Sequence, residues 1–266
     1  MFKKILSTAL AMAMVLSMAV STSAALGKPG SSTPSTKTEQ SSSSSKKSSS
    51  SSSSSKGHDL CKTQLAKDKL ALSMHNTFLS GLKANKDKIT VSIKGYTEKQ
   101  VYAAFQSSLQ MIFDEHPEIF WLDTMQNLVV SSDHKTLTFY PRPASGYGTA
   151  SKDGLTASKL NTTAIKNTTA KMNEAVKKMT GSTTYEQVKA IHDGIINKTQ
   201  YPANPDKATH NQHQAVGPLV EGKAVCDGYA KAFKYACDQK GIPCVIVVGN
   251  ATNNIGEKGT HAWNYV

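Results

Sequence analysis

The sequence predicts an α+β protein in which a helix that begins at a cysteine packs on two antiparallel strands. Apolar residues recur at helical spacing from Cys226 to Cys237. Gly241-Ile242-Pro243 then ends the helix, and the apolar run Cys244 to Val248 indicates a buried strand. Residues 260–266 form a second strand-like run. Together these segments predict the core of the fold, with a smaller α/β region before it.

The first 25 residues are predicted to be a secretory signal. Lys3 and Lys4 precede an apolar run from Ile5 to Val20, and small residues follow up to Ala25. The run is short for a bilayer span and is interrupted by Ser and Thr. We therefore expect export, to the medium or the cell surface, with a membrane contact only if the signal is retained.

Residues 26–57 are predicted to be a serine-rich, disordered linker. From Ser31 to Lys56 no side chain is apolar, so burial has nothing with which to offset the entropy of ordering. The predicted role is a flexible tether.

The net charge of +12 is unevenly distributed along the chain. Seven lysines and one glutamate precede residue 57, so half of the surplus lies outside the predicted folded part. The remaining +6 suits general solubility, or contact with anionic surfaces such as cell-wall polymers. No Lys/Arg-rich run is interleaved with aromatic residues, so nucleic acid is not a predicted partner.

Residues 58–150 predict a small α/β region. A first helix is expected over residues 61–80, and Ile89 to Ile93 alternates like a short strand. Thr97-Glu98-Lys99-Gln100 matches a capping box and predicts a second helix that stops near His116-Pro117. Two strand-like runs, 128–130 and 137–140, suit a hairpin.

Residues 155–266 predict the core domain. A polar helix is expected over residues 157–179. Thr183-Thr184-Tyr185-Glu186 supplies another capping box, after which Val188, Ile191 and Ile195 give one apolar helix face. A polar loop over 199–215 then leads to the segment around Cys226.

Cys226 is the candidate nucleophile of the sequence. At a helix N-terminus, unpaired N–H groups and the helix dipole favour a thiolate anion. The same N–H groups suit an oxyanion formed by attack on a carbonyl. If the two C-terminal strands pair and the helix packs across them, His261 is expected to reach Cys226. A cysteine paired with a histidine is the arrangement used for acyl transfer through a thioester.

Two motifs in this order closely resemble the secreted bacterial transglutaminase-like superfamily. They are Gly222-Lys223-Ala224-Val225-Cys226-Asp227-Gly228-Tyr229-Ala230, with Gly241-Ile242-Pro243 after it, and His261-Ala262-Trp263-Asn264. The likeness begins near Thr184, and a weaker one covers Glu118-Ile119-Phe120-Trp121. The resemblance implies a papain-like cysteine fold with Cys226 as the catalytic nucleophile and His261 as the general base.

The superfamily pattern also contains an aspartate, one strand after the histidine, which orients the imidazole. The sequence ends at Val266, five residues after His261. Asp193 and Asp227 lie before the second motif and do not match that position. We therefore expect a core that is incomplete at its C-terminus, or one that relies on another group, or one without activity.

The other cysteines and histidines predict no cofactor or metal site. Cys237 and Cys244 flank the Gly-Ile-Pro turn, where a disulfide and two buried thiols are both open, and Cys61 has no evident partner. His210 and His213 lie in a loop without a C-x-x-C motif, which does not favour zinc.

The leading hypothesis is therefore an exported cysteine enzyme that acts on amide bonds of a protein or peptide substrate, by hydrolysis or by transamidation. The alternative hypothesis is a non-catalytic exported module that binds cell-wall or surface polymers. The linker and the missing aspartate favour the second reading, and the two motifs favour the first. The sequence predicts no oligomeric state.

Overall fold

A computed structural model of the protein describes residues 64–252 and 258–266. The predicted signal (1–25), the predicted linker (26–57) and Cys61 lie outside the described residues, as does most of the loop before β7. The helices are α1 (Lys69–Lys83), α2 (Glu98–Glu115), α3 (Thr162–Lys177), α4 (Thr184–Ile196) and α5 (Cys226–Lys240). The strands are β1 (Ile89–Ser92), β2 (Leu128–Val130), β3 (Thr136–Phe139), β4 (Gly148–Thr149), β5 (Lys159–Leu160), β6 (Val245–Thr252) and β7 (Lys258–Tyr265).

The N-terminal region packs two helices against a small antiparallel sheet in the order β1-β3-β2. The predicted capping box is confirmed, because the Thr97 hydroxyl accepts from the Gln100 N–H while the Gln100 side chain accepts from the Thr97 N–H. The predicted hairpin is also confirmed, with Val130 opposite Leu137. Three buried rings from α1, α2 and β3 pack together in the core: Phe78, Phe105 and Phe139.

Glu118, in the helical turn after α2, links this turn to α1 through an ion pair. Its carboxylate lies 3.0 Å from Lys83 Nζ and 3.0 Å from His116 Nδ1. Burial acts to raise the pKa of Glu118, but the hydrogen bond and charge of His116, with the charge of Lys83, outweigh it and lower the pKa to about 2.

We expect Glu118→Gln to reduce the acid sensitivity of the fold. Because the pKa of Glu118 is lowered in the folded state, its stabilisation is present above the ordinary carboxyl pKa of 4.5 and is lost as the pH falls towards 2. Across that window the wild type should lose about 1 kcal/mol more unfolding free energy than the variant, a figure reduced for solvent screening. Urea unfolding at pH 5 and pH 3 measures this difference. Equal losses in the two proteins would contradict it.

The segment between the two regions differs in part from the prediction. The polar helix expected over 157–179 begins later, at Thr162. Lys159 and Leu160 pair with β4 as a short strand, and the Asn161 side chain caps the helix by accepting from the Ala164 N–H. The second capping box is confirmed, with Thr183 and Glu186 bonded reciprocally at the start of α4.

Helix α5 is buried more widely than its predicted apolar stripe. Tyr229 and Phe233, which belong to that stripe, are only half-buried, whereas Lys231 and Lys234 are 5% and 3% exposed. Each buried lysine has a carbonyl partner, since Lys231 Nζ donates to the His213 oxygen and Lys234 Nζ to the Cys244 oxygen. Burial of the polar tips is tolerated because the hydrogen bonds replace those to water.

Strands β6 and β7 pair antiparallel along their whole described length, which confirms the predicted pairing. The burial predicted for 244–248 holds only at Cys244 and Val245, and Val248 is 38% exposed. Only the first part of β6 lies against α5, so the later residues have no cover among the described residues.

Candidate active site

Cys226 is the first residue of α5 and is half-buried. Val225 before it is extended and has no side-chain oxygen with which to cap the helix. The first-turn N–H groups therefore point towards the thiol end of the helix with no side-chain cap from Val225. This is the setting that the sequence predicted for a nucleophilic cysteine.

Backbone pairing brings two loops to the start of α5. The Gln200 N–H donates to the Gly222 oxygen at 2.9 Å, and the Ala224 N–H donates to the Gln200 oxygen at 3.2 Å. On the other side, the Val225 N–H donates to the Gln212 oxygen at 3.1 Å. These bonds fix the residues after 199 and the turn at 210–213 beside Cys226.

Gly228 explains how closely the second loop approaches. A Cβ atom at position 228 would collide with the Gln212 backbone oxygen. Any larger residue would push the turn at His210–His213 away from the first turn of α5. The glycine in the Cys-Asp-Gly-Tyr motif is therefore required by this contact.

Tyr201 is the neighbour of Cys226 that the sequence analysis missed. Its phenol lies close enough to Cys226 to interact with the thiol and with the backbone of that residue. Its ring stacks on Tyr229, with centroids 6.3 Å apart, and the Tyr229 hydroxyl donates to the Thr199 oxygen at 2.8 Å. Burial, the charge of Cys226 and the other nearby groups together raise the pKa of Tyr201, so the phenol remains an O–H donor at neutral pH. Only the backbone pairing of Gln200 could have indicated this neighbour, and the sequence does not display that pairing.

The imidazole of His213 is held at the start of α5 by the Asp227 carboxylate. His213 Nδ1 lies 3.0 Å from both carboxylate oxygens of Asp227, and the same carboxylate accepts from the Gly228 N–H at 3.0 Å. His210, the other loop histidine, bonds the Phe120 oxygen through Nε2 at 2.6 Å, and burial lowers its pKa. Each loop histidine thus has a partner within the protein.

His261 lies on β7, which packs beside α5. Asn264 Nδ2 donates to the Ala230 oxygen at 3.0 Å, and Ala262 is 8% exposed, so these two side chains face the helix. Alternation along the strand places His261 on the other face, where it is exposed and its ring lies 6.4 Å from that of Trp263. Within residues 64–252 and 258–266, no hydrogen bond joins Cys226 to His261. The structure thus brings the two elements together but not the two side chains.

Among the described residues, no group of three or more His, Cys, Asp or Glu side chains is arranged to hold a metal ion. No described helix is both long and apolar enough to cross a membrane.

A helix that begins at a cysteine packs on an antiparallel pair of strands, one of which carries a histidine. This arrangement is a papain-like α+β domain, which is the fold of a class of cysteine-based enzymes. Residues 172–266 match the family model of the transglutaminase-like superfamily. The α+β prediction and the predicted superfamily are therefore confirmed.

Two solved structures resemble the chain at low identity. One is a proposed cysteine protease from Cytophaga hutchinsonii, at 16% identity over 54% of this chain and 57% of that chain, with a TM-score of 0.31. The other is a TGase, at 17% identity over 67% of this chain and 48% of that chain, with a TM-score of 0.30. The chain thus spans about half the length of each. No curated protein matches it in sequence.

Proposed function

We propose that the protein is an exported cysteine-dependent enzyme that transfers acyl groups from amide bonds of proteins or peptides. The observation that carries the proposal is Cys226, half-exposed at the start of α5 and beside Tyr201, inside the region that matches the superfamily. Export rests on the signal-like residues 1–25.

In the first step the Cys226 sulfur attacks the carbonyl carbon of a glutamine side chain or a peptide bond. A C–S bond forms, and the carbonyl oxygen takes the negative charge. The proposed donors to this oxyanion are the Cys226 backbone N–H and the Tyr201 O–H. His261 is the proposed base, which takes the proton of the Cys226 thiol and gives it to the leaving amine as the C–N bond breaks.

This role requires β7 to shift its register or twist when substrate binds, because alternation along the strand holds His261 on the face away from α5. Catalytic hydrogen bonds are often long or unformed without substrate. The thioester then passes to an amine, which forms a crosslink, or to water, which completes hydrolysis. The proposal includes both outcomes.

The rate of alkylation by iodoacetamide tests the proposed nucleophile, and acyl-transfer activity tests the proposed base. At pH 7, Cys226 should react faster than glutathione, because a nucleophile activated at a helix N-terminus is more reactive than a free thiol. Replacement of His261 by alanine should lower the acyl-transfer activity and leave this alkylation rate nearly unchanged, because His261 is proposed to reach Cys226 only when substrate binds. Cys237 and Cys244 are buried and serve as internal controls. Alkylation of Cys226 no faster than that of glutathione would contradict its assignment as the nucleophile, and full acyl-transfer activity in His261→Ala would contradict the assignment of His261 as the base.

We expect Tyr201→Phe to lower kcat/KM by about 100-fold, the usual effect of removing one oxyanion donor. The ring should still stack on Tyr229, so the melting temperature should change little. Tyr185→Phe is the matched control, because Tyr185 is 76% exposed and lies on α4. An unchanged kcat/KM in Tyr201→Phe would remove this residue from the mechanism.

A second candidate function is a non-catalytic module that binds anionic cell-wall polymers. It is favoured by the exposure of His261 and the absence of a bond to Cys226 among the described residues. Sedimentation with isolated wall material tests it. Binding that survives Cys226→Ala, in a wild type without amidase or amine-incorporation activity, would support the module over the enzyme.

A further inference from the structure

Two thiols outside the candidate active site lie in contact at the far end of α5. Cys237 is in the last turn of the helix and Cys244 is the residue before β6, and they are 0% and 1% exposed. Their side chains are within hydrogen-bond distance of each other. The sequence analysis left open whether this pair forms a disulfide.

The turn between them holds the two residues close together. Gly241 ends α5 in the left-handed conformation, with φ of +70°, and the Ile242 N–H donates to the Cys237 oxygen at 2.9 Å. The chain therefore doubles back within seven residues. Closing so short a loop covalently requires little movement of the backbone.

The pair is chemically asymmetric. The interaction between the two thiols lowers the pKa of Cys244 and raises that of Cys237. The Lys234 ammonium also favours the Cys244 thiolate, and Asn264 Nδ2 lies 3.5 Å from its sulfur. Cys244 is thus the member suited to start thiol–disulfide exchange.

We propose that Cys237 and Cys244 form a disulfide that ties the end of α5 to the start of β6. The Cys244 thiolate attacks a low-molecular-weight disulfide such as oxidised glutathione, and one glutathione thiolate leaves. The Cys237 sulfur, on loss of its proton, then attacks Cys244 in the mixed disulfide, and the second glutathione leaves. One S–S bond replaces two S–H bonds, and glutathione receives the two electrons and two protons.

Cys226 is excluded as the partner of either thiol. It lies eleven residues before Cys237 on the same helix, about 16 Å along the axis. A disulfide requires the two Cα atoms to lie within about 7 Å. The Cys237–Cys244 disulfide therefore leaves the thiol of Cys226, the candidate nucleophile, available.

Burial decides when the bond forms. Asn264 of β7 contacts Cys244, so the strand covers the pair once the fold is complete. An oxidant reaches the thiols only before β7 docks. We expect the disulfide to form during folding, and to form slowly in protein that has already folded in the reduced state.

The test is a peptide map of the full chain, refolded from reducing denaturant into a buffer of reduced and oxidised glutathione. Free thiols are blocked with N-ethylmaleimide before digestion with trypsin. Cleavage after Lys234, Lys240 and Lys258 places Cys237 in peptide 235–240 and Cys244 in peptide 241–258. Under non-reducing conditions the two peptides should elute as one species that has lost the mass of two hydrogen atoms. Reductant should separate them.

Stability gives a second readout that does not depend on enzyme activity. The refolded, oxidised wild type should melt roughly 5 °C above its reduced form. The double variant Cys237→Ser with Cys244→Ser should show no effect of reductant, and Cys226→Ala should retain the whole effect. Recovery of both peptides singly blocked by N-ethylmaleimide, or linkage of either to Cys226 or Cys61, would overturn the proposal.

Discussion

Cys226→Ala is expected to lower the acyl-transfer activity of the protein by at least about 1,000-fold, since removal of a nucleophile leaves only the contribution of binding and oxyanion stabilisation. Two assays cover the two outcomes of the thioester: incorporation of dansylcadaverine into dimethylcasein, and release of fluorophore from labelled casein. Loss of both signals in the variant is the predicted result. Because Cys226 is half-exposed, its replacement by alanine should disturb the packing of the fold only slightly.

The controls separate chemistry from folding. The melting temperature of Cys226→Ala should lie near that of the wild type, because no large cavity forms at a half-exposed site. Cys61→Ala, a thiol that precedes the described residues, should retain activity. If Cys226→Ala retained the activity of the wild type, the proposed cysteine mechanism would be wrong.

Lys234→Met is expected to destabilise the fold by about 3 kcal/mol, the usual cost of removing one partner from a buried ion pair. Lys234 Nζ lies 3.3 Å from Glu115 on α2 and 3.3 Å from Asp238 on α5, and it donates to the Cys244 oxygen. Burial alone would lower the pKa of Lys234, but Asp238 and Glu115 outweigh it and raise the pKa. Methionine removes the ammonium and leaves two carboxyl groups in a poorly solvated site.

The effect should depend on pH in a direction that identifies its cause. Burial raises the pKa of Glu115 and of Asp238, and without Lys234 this shift should increase. A carboxyl group whose pKa is raised by folding contributes most below its unfolded pKa, and this contribution is lost as the pH rises. The destabilisation of Lys234→Met should therefore be smaller at pH 4 than at pH 7.

Chemical denaturation of three variants measures how much the buried ion pairs of Lys234 contribute to the free energy of unfolding. Adding Glu115→Gln to Lys234→Met should recover part of the lost free energy, because one buried carboxylate is removed. Lys177→Met is the matched control, since Lys177 is exposed and, among the described residues, pairs with Glu174 alone; it should change stability by less than about 0.5 kcal/mol. A loss as small as that of the control would show that the buried cluster contributes little.

Local signals in the sequence were reliable where the chain interacts with itself over a few residues. The capping boxes at Thr97 and Thr183 placed the starts of α2 and α4, and Cys226 begins α5 as predicted. Each helix start depends on hydrogen bonds within one helical turn, so neighbouring residues determine where the helix begins. The polar helix over 157–179 was placed too early, because the pairing of Lys159 with distant Thr149 does not show in local periodicity.

Long-range contacts were the part that the sequence did not predict. Tyr201 lies 25 residues before Cys226 and reaches it only through the pairing of Gln200 with Gly222 and Ala224. The burial of Lys234 depends on Glu115, more than a hundred residues away. A charged residue at a helix position predicts exposure unless its partner is known.

The sequence by itself determined that a helix begins at Cys226, that two strands follow it, and that His261 lies on the second strand. It determined these points because helix starts, turns and strand periods depend on adjacent residues. Only the tertiary structure decided which side chains meet: Tyr201 lies at Cys226, and His261 lies on the other face of its strand. The reason is that the pairing of loops and the face of a strand are set by packing between distant segments, which no local pattern encodes.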